Sequence, residues 1–467
     1  DDEIFLAVSL TGDPTGSWFK TSFDITQGPD SGGFPDYPTL GVDEDGIYVT
    51  AYVVSNDAMT IWAIDKAPLI DPTPSLGTIT AFRSLPFEWA IQPVHTYGTP
   101  GPQYFISTPG NSSLRVRALN KPITSPSLVT VASPFVPFKD FPPNAPALGS
   151  GTPINTVDIR LMNAVYRDGF IYAANNISEN GRAAVRWYKV EAATGTVDES
   201  GIIADSQLYY YFGTIAVNSR GDLAVGFSGS KADQYVGCYF TGRLAGDPAG
   251  VMDDPVLFKA GTGPQNNIDS FGRNRWGDYS LTSLDPDDEL TIWTSQEYGK
   301  STDIWSSWIA QLVFPESIEN DFCADATNIG DGSFDFDTTF ASTDGPTDFG
   351  GCIRADKDVW YRYTAPCTGN ATADLCSVDF DVVVTVYNDV CPTGPSEQIA
   401  CNDAACEPGA QTTFPVAAGE AYLIRVGGQD DAFGAGTLTV TCVPDIVCVE
   451  DLSGDQVVDS EDLFLLL

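Results

Sequence analysis

Residues 451–462 read Asp451-Leu-Ser-Gly-Asp-Gln-Val-Val-Asp-Ser-Glu-Asp462, a spacing that suits a hard divalent cation. Calcium takes roughly six to eight oxygens, and a 12-residue loop offers them from positions 1, 3, 5, 9 and 12 together with the carbonyl at position 7. Here those are Asp451, Ser453, Asp455, Asp459 and Asp462, with the backbone of Val457. Ca²⁺ is therefore the one cofactor expected. Gln456 stands where glycine normally permits the sharp turn, which lowers the expected affinity.

The rest of the chemistry is bounded by a single histidine, His95. Histidine is the usual general base and the commonest transition-metal ligand, so two-histidine metal sites and haem attachment are excluded, and a Ser-His-Asp triad must use His95 alone. No G-x-S-x-G elbow, phosphate-binding loop or dinucleotide fingerprint occurs. Catalysis by paired carboxylates stays open, because 63 Asp and Glu face 23 Lys and Arg. The net charge of −40 excludes an ordinary nucleic-acid binder, which needs clustered cations. His95, Arg160, Arg273, Arg275, Asp278 and Tyr279 form the candidate ligand pocket, since arginine pairs bidentately with the carboxylate of an acidic sugar.

Short strands must position these groups. Residues 1–314 consist of apolar and aromatic runs of five to eight residues between Gly, Asp, Asn and Pro turns, with no helical period. The order of strand, tight turn, strand, longer loop and strand repeats through 37–64, 92–119, 162–190, 214–241 and 279–313. One such sheet cannot bury both of its faces, and radial stacking of several solves that problem, so an all-β fold with a β-propeller of about six blades is expected. Residues 4–23 look like a blade that lacks its first strand, which implies that the strand comes from elsewhere.

The segments Phe34-Pro-Asp-Tyr-Pro-Thr-Leu-Gly41, Arg275-Trp-Gly-Asp-Tyr-Ser280 and Trp293-Thr-Ser-Gln-Glu-Tyr298, with Ala7-Val-Ser and Asp13-Pro-Thr-Gly16, resemble secreted bacterial proteins of the sialidase-like β-propeller type. True sialidases carry Asp-box turns, an arginine triad, a Tyr-Glu pair and an acid Asp; no Asp box matches here.

From Glu319 the composition changes. Nine of the ten cysteines lie between Cys323 and Cys448, which reads as a disulfide framework from an oxidising compartment. The protein is expected to be secreted or displayed at the cell surface with its targeting peptide removed. No apolar run reaches the roughly 20 residues of a membrane span. Strand patterns at 358–366, 380–387, 400–403, 421–428 and 436–441 resemble the pre-peptidase C-terminal type β-sandwich over residues 319–443. Eight of its cysteines invite four bridges, and spacing alone leaves the connectivity open. The pairing expected is Cys323 with Cys352, Cys391 with Cys401, Cys367 with Cys442 and Cys376 with Cys406. Residues 448–467, with the Asp451 loop and the apolar Leu463-Phe-Leu-Leu-Leu467, are similar to the first half of a dockerin module, in which a calcium loop precedes a helix; the natural chain is expected to continue.

Three modular units with a docking element at one end point to a non-catalytic secreted binding or structural protein. Its role would be adhesion or calcium-dependent extracellular assembly, filamentous in form, through a protein partner or through further copies of itself. The competing expectation is a sialidase-like glycan hydrolase or lyase acting at the propeller channel. Two carboxyl groups about 5–9 Å apart beside an arginine cluster would mark the enzyme.

Overall fold

The computed structural model describes residues 2–99, 101–121, 123–314, 318–346, 355–394, 397–430 and 432–445. The calcium loop expected at Asp451, Ser453, Asp455, Val457, Asp459 and Asp462 lies outside them, as does Cys352. The chain divides into two compact units, Asp1–Phe314 and Pro315–Leu467.

The first unit is all-β. Strands β1 (Glu3–Ser9) and β2 (Trp18–Asp24) form a two-stranded sheet, the partial copy seen in the sequence. Five fuller sheets follow as blades. The first is β3 (Pro35–Val42), β4 (Gly46–Val53), β5 (Ala58–Asp65) and β6 (Ile79–Leu85). Next, β7 (Trp89–Pro93) leads to β8 (His95–Thr96), and the second blade runs in the order β7, β9 (Gln103–Gly110), β10 (Ser113–Asn120) and β11 (Ser127–Ala132). The third blade is β12 (Leu161–Arg167), β13 (Phe170–Glu179), β14 (Arg182–Glu191) and β15 (Val197–Ile203). The fourth contains β16 (Tyr209–Val217), β17 (Leu223–Lys231), β18 (Gln234–Arg243) and β19 (Val256–Lys259), and the fifth β20 (Leu281–Leu284), β21 (Ile292–Ser301) and β22 (Ile304–Leu312). The short β8 leaves its own blade and pairs in parallel with β12, His95 against Val165.

Local chemistry sets the turns. In the first blade Asp43 Oδ1 accepts from the amides of Asp45 (2.9 Å) and Gly46 (2.7 Å), closing the β3–β4 hairpin. Burial then follows the sheets: Tyr188, Val190, Leu161, Ala164, Val94, Ile106 and Val116 form one core between the second and third blades. Between the fourth and fifth, Gly226 lets the sheets approach, because a Cβ there would sit 2.1 Å from Thr294 Oγ1. That contact is a buried polar relay in which Thr214 and Thr282 hydroxyls lie 2.8 Å apart and Gln296 Nε2 donates to Thr214 (3.0 Å).

A left-handed residue recurs at the entry to every inner strand: Tyr37 (φ 52), Ala90 (φ 46), Val157 (φ 54), Phe212 (φ 58) and Asp278 (φ 89). None is glycine, so each position carries on the order of 1–3 kcal/mol of backbone strain. The ladder shifts register beside Tyr37, Ala90 and Phe212, which makes those sites bulges.

The second unit stacks two sheets on one core. One sheet runs β23 (Thr327–Ile329), β25 (Ala355–Thr364), β30 (Ala421–Gln429), β27 (Val382–Asn388) and β28 (Gln398–Asn402). The other runs β24 (Gly332–Asp337), β31 (Ala435–Pro444), β26 (Gly369–Asp374) and β29 (Gln411–Val416). Val359, Tyr361, Val384, Ile424, Phe414 and Leu438 meet between them. Disulfides join Cys367 to Cys442 and Cys376 to Cys406, as expected from the sequence. Cys323 bonds to Cys391, which corrects the pairs expected for both: Trp360, Tyr387 and Leu423 gather these two sulfurs into one cluster, with the Cα atoms 5.7 Å apart. Cys401 is also disulfide-bonded. Among the described residues no helix is long and apolar enough to cross a membrane.

Candidate functional site

Three of these left-handed strand-entry residues, Tyr37, Val157 and Asp278, line one cleft of about 440 Å³. Its other walls are Asp36, Phe141, Asn155, Asp158, Arg160, Arg273 and Arg275. Strain concentrated at one concavity is a mark of a functional site, because the surrounding sheets must hold it. Here the first, third and fifth blades each contribute one strained position, so side chains 241 residues apart meet: Tyr37 Oη donates to the backbone oxygen of Asp278 (3.0 Å).

The cleft is built as layers of charge and ring. Asp158 grips Arg160 with both oxygens, Nε to Oδ1 at 2.9 Å and Nη2 to Oδ2 at 2.6 Å. The Arg160 guanidinium then lies 4.2 Å from the Tyr37 ring centroid, and Tyr37 stacks on Tyr279 with centroids 5.1 Å apart. Arg275 pairs with Asp278, and Arg273 with Asp269 (2.7 Å). Among the described residues no ion pair holds Asp36. The three arginines of the cleft keep between 22% and 45% of their side chains exposed, so their donors are open to a ligand.

A second cleft of about 430 Å³ adjoins the first and shares Arg275 and Asp278 with it. Asn267, Trp276, Gly277, Glu297 and Trp305 complete its lining. Strand alternation sets Glu297 there: Ile292, Thr294 and Gln296 turn toward the fourth blade, which leaves Trp293, Ser295 and Glu297 on the opposite face of β21. Burial pushes the Glu297 carboxyl up to about 7; the Asp278 charge adds to the rise and a hydrogen bond from the Gly277 amide opposes it. A carboxylic acid that keeps its proton near neutrality, beside a wall shared with another carboxylate, has the makings of an acid catalyst.

Of the six pocket residues expected from sequence, Arg160, Arg273, Arg275 and Asp278 line the first cleft. Tyr279 stacks on its Tyr37 wall and also lines the central channel, a cavity of about 380 Å³. His95 is in that channel, 5.0 Å from the Tyr97 ring, and does not line either charged cleft. Sequence reasoning missed Asp36, Tyr37, Asp158 and Glu297. Asp36, Tyr37 and Glu297 stand inside the Phe34–Gly41 and Trp293–Tyr298 segments that carry the propeller resemblance. Among the described residues no cluster of His, Cys, Asp and Glu is arranged to hold a metal.

No protein-family model matches the chain, and no curated protein matches it in sequence. Solved structures do resemble it. An exo-β-1,3-galactanase from Phanerochaete chrysosporium, with β-1,3-galactotriose, is 11% identical over 87% of this chain and 96% of that one, with a TM-score of 0.31. An α-L-arabinofuranosidase from Lactobacillus brevis is 10% identical over 61% and 92%, TM-score 0.32. A subtype N10 neuraminidase-like protein of A/little yellow-shouldered bat/Guatemala is 11% identical over 60% and 83%, TM-score 0.32. The expectation of a non-catalytic adhesion or assembly protein is corrected here: the propeller gathers Asp36, Asp158 and Asp278 with Arg160, Arg273 and Arg275 in one cleft, carboxyl groups beside an arginine cluster as the competing expectation of an enzyme asks.

Proposed function

We propose that the propeller is a glycan hydrolase acting where the two clefts meet, on a chain that contains acidic sugars. The observation that carries this reading is Glu297, a carboxyl shifted to about 7, behind the wall that Asp278 and Arg275 share with an arginine-lined cleft. Glu297 gives its proton to the departing glycosidic oxygen. Asp278 is the carboxylate that faces the developing positive charge on the sugar ring, and Asp36, held by no ion pair among the described residues, takes the proton from water. Arg160, Arg273 and Arg275 bind the sugar carboxylate through charge-assisted hydrogen bonds, and Tyr37 fixes Arg160 from one face.

The test is reducing-end release from galacturonan, alginate, hyaluronan and neutral galactan by the full chain. Glu297→Gln lowers the rate on the cleaved polymer by about 10²–10⁴-fold, the ordinary worth of a positioned acid. No release from any acidic polymer sinks the reading.

Two further readings go with this one. Disulfides in the second unit support export to an oxidising compartment. The oxygen spacing of 451–462 supports Ca²⁺ in that loop, and terbium luminescence lost on Asp455→Ala and Asp462→Ala checks it. The two-sheet second unit is read as a non-catalytic module of the pre-peptidase C-terminal type.

A further inference from the structure

A ladder of aromatic rings leads away from the first cleft. Phe141, on its rim, meets Trp89 edge to face at 5.5 Å; Trp89 meets Phe87 at 5.2 Å and Phe87 meets Tyr52 at 5.4 Å, with interplanar angles of 80–87°. Phe87 and Phe141 are 43% and 44% exposed, so this stripe is open to solvent. It also returns to the cleft at its far end, because Tyr52 is the cross-strand partner of Asp36. The rings therefore border the charged cleft.

The ladder is rigid. Phe141 belongs to the long connection between β11 and β12, and Lys139, two residues away, pins that connection. Its amide donates to the Asn111 carbonyl (2.7 Å), the Asn111 side chain donates back to the Lys139 carbonyl (2.8 Å), and buried Nζ donates to the Ser113 carbonyl (3.0 Å). Ser178 holds Asp140 from the third blade (3.0 Å). Tyr52 is tied through its hydroxyl to Asp57 (2.7 Å). Rings fixed before a ligand arrives cost little entropy when it binds.

We propose that this ladder is an extended binding path for the sugar units that flank the cleaved bond, so that the substrate is a polysaccharide or long oligosaccharide. The proposal rests on the reading of the clefts as a glycan-cleaving site. Pyranose rings present apolar C–H faces on one side and hydroxyls around the edge. A row of half-exposed aromatic rings meets the first, and continuity with a cleft full of carboxylates and arginines meets the second. A protein partner would find the apolar stripe but would have no use for its run into the cleft.

The experiment uses the full chain carrying Glu297→Gln, so that ligand is bound and not consumed, with oligogalacturonates, alginate oligomers and hyaluronan oligomers of two, four and six units. Affinity is measured by calorimetry and by the fluorescence of Trp89, with Trp89→Phe identifying its signal. The expected result is affinity that rises with length, and a Phe87→Ala variant that binds the six-unit ligand about tenfold more weakly while leaving the two-unit ligand unchanged. Phe87→Tyr restores the long-chain affinity, which a folding defect would not allow. Affinity independent of length, or equal losses on short and long ligands, overturns the ladder and leaves the cleavage reading intact. Absence of binding to every acidic glycan overturns both.

Discussion

In the propeller's charged cleft the Arg275–Asp278 pair keeps 38% and 28% of its two side chains exposed, whereas in the second unit Arg425–Asp358 is sealed at 0% and 0%. The same chemistry serves different ends. Arg425 donates to Asp358 through Nε (2.8 Å) and to the Ala355 carbonyl (2.9 Å), and Trp360 donates to the other carboxylate oxygen (3.0 Å), so this pair is spent on structure. Covalent support differs as well. The propeller's one cysteine, Cys238, is free and buried, while the second unit has three disulfides among its described residues. The larger unit buries both faces of most of its sheets against neighbours. The smaller one has a single core with more surface per volume, for which cross-links compensate.

The largest effect expected from this contrast is that of reduction. Bridges that close 68 and 75 residues contribute roughly 4 kcal/mol each, more than a small sandwich has to spare. Calorimetry with reductant should show the second unit's transition lost or moved far down while the propeller's stays in place. Two transitions that shift together would break the comparison.

Charge removal sharpens it. Asp358→Asn strands a buried guanidinium and costs the second unit about 3–5 kcal/mol, read from its denaturant midpoint. Asp278→Asn should cost the propeller below about 1 kcal/mol, since that pair is half in water and asparagine tolerates the left-handed backbone, yet it should remove glycan cleavage. Equal stability losses would show that access to solvent does not separate the pairs.

Two titrations give the finest test. Glu297 must be protonated to act, so the rate on a cleaved glycan falls as pH rises through about 7, about tenfold per unit beyond it. Lys139 is the opposite case for stability. Burial, helped by the Arg186 charge, lowers its ammonium to about 7, against 10.5 in an unfolded chain. Between those values the unfolded state binds the extra proton, so the propeller gains stability as pH rises from about 7 toward 10.5 and gives it up as pH falls back to about 7, below which this group adds no slope. Lys139→Met should flatten that slope in the propeller transition alone.

Much of the architecture was legible in the residues. Apolar and aromatic runs such as Ile47-Tyr-Val-Thr-Ala-Tyr52 placed the strands, and Asp43 and Gly46 marked their turn. The outer strands were harder: β11 and β19 are short, exposed and weakly patterned, because an edge strand buries little. The left-handed entry residues carried no signal, since Tyr37, Ala90, Val157, Phe212 and Asp278 share no side-chain chemistry. What they share is a backbone position imposed by neighbouring blades.

The Cys323–Cys391 bond was hidden for a related reason, since sequence offers Cys401 as a nearer partner and only the packing of Trp360 against Tyr387 brings Cys323 across. By itself the sequence determined an acidic all-β chain in which the last third is open to disulfide bonding and chemistry by histidine is scarce, because composition and strand period are local properties. The tertiary structure alone decided that Asp36, Asp158, Arg160 and Asp278 share a cleft and that a half-buried Glu297 lines the one adjoining it. Blade closure joins positions hundreds of residues apart, and no local pattern records which side chains a radial stack will bring face to face.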